Sequence, residues 1–142
     1  SPAMVELARN RLSPYGSRAQ VVLTDGAFSF DVATRSQDRV VATYVLDLLS
    51  PEDIRALLAE SHRVLEPSGR LCLAGLTWGE GLWERIISRL WAGVHAVRPE
   101  WVGGCRLLQM HRFLDPGRWT VSYQTVLCAW GVSSEVLIVT PV

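Results

Sequence analysis

The stretch Arg63-Val64-Leu65-Glu66-Pro67-Ser68-Gly69-Arg70 decides the fold of this chain, because it joins two segments of opposite periodicity. Before it, Ile54, Leu57, Leu58, Ser61, Val64 and Leu65 recur at helical spacing along one face. After it, Leu71-Cys72-Leu73-Ala74-Gly75-Leu76 is continuously apolar and too short for a helix, which predicts a strand buried on both faces. Pro67-Ser68-Gly69 supplies the stop between them. The helix begins upstream at Ser50-Pro51-Glu52-Asp53, with a capping hydroxyl, a first-turn proline and two carboxylates near the positive end of the helix dipole.

Further upstream, Arg39-Val40-Val41-Ala42-Thr43 predicts another inner strand, so strand, helix and strand form a right-handed crossover in a parallel sheet. Residues 19–24, with the run Val21-Val22-Leu23, predict a third parallel strand. Ser1-Pro2 opens a short helix to Arg11 with Met4, Val5, Leu7 and Ala8 on one side. Downstream, Leu82, Trp83, Ile86, Ile87, Leu90, Trp91 and Val94 predict a covering helix over 81–97. Residues 105–114 are open between a short helix and an extended connector. The alternation over 119–130, the turn at Gly131 and the run 135–139 predict a closing hairpin.

With 142 residues, 49% of them hydrophobic and 20% charged, the chain predicts one domain with a single core, spanning 1–142. The formal net charge is zero, so no global field favours nucleic acid or an acidic membrane. All 14 basic residues are arginine, a coding bias more than a phosphate signal. Cys72, Cys105 and Cys128 have neither disulfide-framework nor zinc-site spacing, and read as small residues of a reducing cytoplasm. No apolar run reaches about 18 residues and no signal segment appears.

On its motifs the chain resembles the class I S-adenosylmethionine-dependent methyltransferases, specifically the small-molecule enzymes with a type 11 domain. R-V-L-x-P-x-G-R resembles the segment before that family's fifth strand. Asp38 to Leu49 resembles the fourth-strand motif, with Gln37 where an aromatic is common. Ser1 to Arg9 resembles the helix after the second strand, which reads D-x-S-x-x-M in the family, so its acidic residue would lie two positions before Ser1. The sequence contains no G-x-G-x-G loop. The resemblance thus covers the C-terminal two-thirds of such a domain: a Rossmann-like α/β sheet of three parallel strands with covering helices and an antiparallel hairpin, without the first strands and the cofactor loop.

The resemblance implies S-adenosylmethionine as cofactor, with Ser1, Met4, Asp25, Gly26, Ala27, Ala42, Thr43 and Tyr44 around it and Asp25 on the adenine amino group. Independently, a carboxylate at the carboxyl end of a strand in a doubly wound sheet lies at the ligand crevice. The alternatives are a turn-opening Asp25 and a Tyr44 that packs beneath the next loop. Asp38 reads as a strand brace and His62 as a packing residue. Asp47, His95 and His111 are the candidates for orienting or deprotonating an acceptor. Trp83, Trp91 and Trp101, with Val94 and Leu107, form either an apolar acceptor pocket or, the favoured reading for Trp83 and Trp91, a cover for the sheet. No metal site or covalent nucleophile stands out.

Methyl transfer asks mainly for alignment, which contributes roughly 7 to 11 kcal/mol, so the lack of an obvious base does not weigh against it. The expected activity is methyl transfer to a small apolar or aromatic acceptor, with this chain inactive alone. A non-catalytic methyltransferase-like interaction module is the alternative, and a nicotinamide-enzyme fragment ranks below both. Open sheet edges predict a homodimer or an element swap.

Overall fold

The computed structural model describes residues 1–24, 26–79 and 81–142. Ser50 caps α2 (Pro51–Val64): its hydroxyl oxygen accepts a 3.1 Å hydrogen bond from the Asp53 N–H. Ile54, Leu57, Leu58, Ser61 and Val64 form the buried face, as the helical spacing requires. The helix passes directly into β2 (Leu65–Leu76), ending two residues before the expected stop.

β2 lies parallel to β1 (Gln37–Thr43) on one side and antiparallel to β4 (Val132–Pro141) on the other. β3 (Trp119–Ala129) pairs with the outer edge of β4, giving the order β1-β2-β4-β3. The hairpin turns at Trp130 and Gly131, which have φ of 55° and 80°. Two positive φ values match the twist of a two-residue hairpin. β4 takes the inner position because it alternates buried Ser133, Glu135, Leu137 and Val139 with half-buried residues, whereas most of β3 is exposed. Leu71 and Leu73 of β2 meet Leu137 and Val139 of β4 and the apolar face of α2 in one core. Met110, from a 3-10 turn at Met110–Phe113, and Trp119 close it. The rest of the 105–114 segment is a non-helical connector, resolving that ambiguity.

Two expectations fail. Residues 19–24 form no strand, and Val22 and Leu23 are exposed; the sheet has two parallel strands, not three. An apolar run becomes a strand only when its peptide groups pair with another strand, and among the described residues these pair with none. α3 (Leu82–Val97) forms as expected but does not cover the sheet: Trp83 is 75% exposed, and Ser88 is its only buried side chain among the described residues. It packs against the turn at Pro99–Val102 and the start of β4, with Ile87 filling the space a side chain at Gly131 would occupy. Helical spacing defines a stripe, not the surface it meets. α1 (Pro2–Leu12) likewise buries no residue. Among the described residues, no helix is long and apolar enough to cross a membrane.

The motif glycine has a steric role. A Cβ on Gly69 would lie 2.9 Å from Leu65 Cδ2 and 3.0 Å from the carbonyl oxygens of Gln37 and Glu66. Here β2 leaves its register with β1, which jumps from Gln37↔Leu65 to Arg39↔Arg70. Two of the three neighbours are backbone and cannot rotate away, so Gly69→Ala is expected to destabilise the fold by about 1–3 kcal/mol, read as a lower midpoint in urea unfolding.

Candidate functional site

Two cavities open at the carboxyl ends of the parallel strands, the place where doubly wound sheets hold ligands. The first, about 500 Å³, lies against the end of β1. Ala42 and Thr43 form its strand wall, Gly26, Ala27, Phe28 and Phe30 its loop wall, and Leu57 part of its helix wall. Four of the residues expected at a cofactor are thereby brought together. Small side chains at 26, 27 and 42 leave room for a flat ring, and the two phenylalanines make the lining mostly apolar.

The loop wall is held in place by one ion pair on α2. Glu60 accepts 2.8 and 2.7 Å hydrogen bonds from Arg63 Nε and Nη2, and a third of 2.7 Å from the Phe30 N–H. Arg63 in turn donates to the carbonyls of Phe30 and Val32 at 3.1 Å and to Thr34 Oγ1 at 3.0 Å. The Arg63 guanidinium, followed by the Phe30 N–H, pulls the Glu60 carboxyl down to about 2.

The second cavity, also about 500 Å³, lies beyond the end of β2. Thr77, Trp78, Arg85, His111, Gln124 and Glu135 are among its lining residues. The Glu135 side chain is 2% exposed and accepts three 2.8 Å hydrogen bonds, from the Met110 N–H, His111 Nδ1 and Gln124 Nε2. Separately, Leu90, Val94, Val97 and Trp101 line a shallow apolar groove of about 370 Å³ on the outer side of α3, where Arg98 lies over the Trp101 ring at 5.0 Å.

The other expected site residues lie elsewhere. Ser1 and Met4 are exposed on α1, and neither lines the first cavity. Asp25 lies outside the described residues. Tyr44 directly follows β1 with φ of 53° and reaches across β2, its hydroxyl 3.1 Å from Ser134 Oγ. Asp47 is fully buried: Oδ2 accepts from the Leu76 N–H at 3.0 Å, while Oδ1 has no hydrogen-bond partner among the described residues. Burial raises its pKa against the opposing pull of that N–H and of Arg106. His95 Nε2 meets the Gly104 carbonyl at 3.3 Å, tying α3 to the following turn. His62 stacks edge-on against Trp119 at 5.2 Å, and burial lowers its pKa. Trp91 donates its Nε1–H to the Cys105 carbonyl at 3.0 Å, and Trp83 contributes to none of these cavities.

A family of methyltransferase domains matches residues 1–69. Solved structures match over the whole chain or nearly so. A protein of Pyrococcus horikoshii is 14% identical with a TM-score of 0.72, covering 100% of this chain and 68% of its own. An S-adenosylmethionine-dependent methyltransferase of Methanosarcina mazei is 17% identical with a TM-score of 0.63, covering 92% of this chain and 76% of its own. Geranyl diphosphate methyltransferase, solved in complex with S-adenosylmethionine, is 12% identical with a TM-score of 0.70, covering 100% of this chain and 66% of its own. The chain has the class I methyltransferase fold. Among curated proteins none matches.

Within this methyltransferase fold, β1 and β2 are adjacent parallel strands and the β3–β4 hairpin is an antiparallel pair beside them. Glu135 was missed by sequence reasoning. Its signal is its parity: it shares the inward phase of Leu137 and Val139 on a strand of alternating burial.

The Glu60–Arg63 clamp sets a pH dependence. Because Glu60 is more acidic folded than unfolded, its contribution is present above about pH 4.5 and is lost as pH falls toward about 2. Unfolding free energy measured by urea across this range should fall with acid in the native protein and fall less in Glu60→Gln.

Proposed function

We propose that this chain forms the adenine-binding and acceptor-facing part of an S-adenosylmethionine-dependent methyltransferase acting on a small, aromatic acceptor. The observation that carries the reading is the apolar slot at the carboxyl end of β1, lined by Gly26, Ala27, Ala42 and Thr43 in a methyltransferase sheet. The slot fits the adenine end of the donor. Phe28 and Phe30 offer apolar contact to a ring, and the small residues allow its close approach. Asp25 stands in sequence beside this wall, where its carboxylate would take the adenine amino group. Ser1 and Met4 enter the donor site only if α1 docks onto a sheet edge, since here they are exposed.

The bound donor supplies a methyl group already activated on a sulfonium. The protein's share is to hold donor and acceptor in line and to exclude water, worth roughly 7 to 11 kcal/mol in well-aligned systems. Asp47, His95 and His111 are the titratable groups considered for the acceptor's proton. Of these only His111 faces an open cavity, and it is the one retained. Free Cys72, Cys105 and Cys128 agree with a reducing, cytoplasmic setting. The uncovered edges of β1 and β3, with exposed Val41 and Tyr123, support pairing with a second copy or an element swap.

A non-catalytic interaction module is the second reading, favoured by α1, which buries no residue. A thermal-shift titration of the full-length protein carrying this chain separates the two. S-adenosylhomocysteine at one hundred times its dissociation constant should stabilise the fold by about 2.7 kcal/mol, and Thr43→Trp, which fills the slot, should abolish the shift. A melting temperature unmoved at millimolar ligand would sink the methyltransferase reading.

A further inference from the structure

The second cavity carries more chemistry than a methyl donor requires. α3 places Arg85 and Arg89 four residues apart, hence on one face, and both line its wall. Among the described residues neither guanidinium is in an ion pair. Across the cavity, the buried Glu135 carboxylate is satisfied by three donors, one of them His111 Nδ1. That bond selects the tautomer: with the proton on Nδ1, the imidazole lone pair is on Nε2. Nε2 makes no hydrogen bond among the described residues, and the ring is 42% exposed on the cavity side. Trp78 and Val126 add an aromatic face and an apolar patch to the same walls. The volume, about 500 Å³, is that of a small-ligand site.

Two guanidinium groups outside any ion pair among the described residues, a flat indole and one imidazole with a directed lone pair make a specific combination. We propose that this cavity binds the methyl acceptor, and that the acceptor is a small hydroxylated aromatic acid. Its carboxylate lies on Arg85 and Arg89, its ring beside Trp78, and its hydroxyl on His111 Nε2. Arginine suits the carboxylate because its planar fork matches two oxygens at once. This proposal rests on the methyltransferase reading and narrows its acceptor. In the transfer step the hydroxyl oxygen forms a bond to the methyl carbon of S-adenosylmethionine. The carbon–sulfur bond breaks with its electron pair returning to sulfur, and the hydroxyl proton passes to His111 Nε2. The resulting imidazolium sits against the Glu135 carboxylate, which holds the ring and stabilises its charge. Glu135 is a positioning residue, and His111 the catalytic one.

The test is a ¹H–¹³C NMR titration of the histidine rings in the full-length protein carrying this chain, with 4-hydroxybenzoate as probe and no methyl donor. His62 and His95 act as internal references. The His111 signal should move saturably, and the double variant Arg85→Gln/Arg89→Gln, exposed positions that leave the core intact, should weaken binding by about ten- to a hundredfold. Phenol and benzoate, each lacking one anchor, should bind more weakly than the probe. With methyl donor present, His111→Asn should lower kcat by about a hundredfold or more with KM little changed. Glu135→Gln should likewise lower kcat with KM little changed, and Glu135→Asp should recover part of the loss. A flat His111 signal while S-adenosylhomocysteine still raises the melting temperature overturns this proposal and leaves the methyltransferase reading standing. Binding unaffected by the arginine changes overturns it equally. Saturable binding without any response to S-adenosylhomocysteine overturns the transfer step.

Discussion

Burial of β2 is the constraint on which the rest depends. Leu71 and Leu73 are each 1% exposed, held between α2 on one face and hydrogen-bonded strands on both edges. Each such leucine contributes about 1.5–3 kcal/mol on leaving water, and the strand's peptide groups must be paired once they are buried. A parallel neighbour meets that demand on one edge and an antiparallel one on the other. The carboxyl ends of β1 and β2 then fall side by side. The two cavities open there because the sheet ends there, and the loops that wall them have nowhere else to return.

The polar interior near β2 is arranged around one missing side chain. Gly75 pairs with Glu135 across the sheet. A Cβ at 75 would lie 2.7 Å from Asp47 Oδ1 and 3.2 Å from Met110 Sδ. Thus the glycine admits Asp47 on one side while Met110 lends its N–H to Glu135 on the other. Burying a carboxylate is costly unless its oxygens are bonded. Glu135 meets this condition with three donors, whereas Asp47 has one oxygen without a partner among the described residues and its pKa is raised by burial. The two acids therefore differ in what they can do: Glu135 orients a histidine toward open space, while Asp47 holds the Leu76 N–H at the strand end.

Legibility in the sequence followed the range of the interaction. The Ser50 cap, the helical stripe of α2 and the apolar runs of β1 and β2 are signals within a few residues, and each element formed there, although β2 begins at Leu65, ahead of the break read at Pro67-Ser68-Gly69. The run Val21-Val22-Leu23 carried the same local signal, but it pairs with no strand among the described residues and formed none. For α3 the helix was legible and its packing was not, because Leu82, Trp83 and Leu90 describe a stripe and nothing local names its partner. Gly26, Ala27, Ala42 and Thr43 were named through motif resemblance, whereas the clamp that positions the wall carrying two of them was not: Arg63 opens the quoted motif, but nothing in it names Glu60 or the loop that the pair holds.

The sequence by itself determined the helix α2, the strands on either side of it, the closing hairpin and the family they resemble, since caps, turns and periodicity act over one or two turns of chain. Only the tertiary structure decided that β4 lies inside β3, that α3 meets the start of β4 rather than covering the sheet, and that Glu135 meets His111 across 24 residues of sequence. Those outcomes depend on which surfaces remain to be buried after β2 has been covered, a quantity set by the whole chain at once.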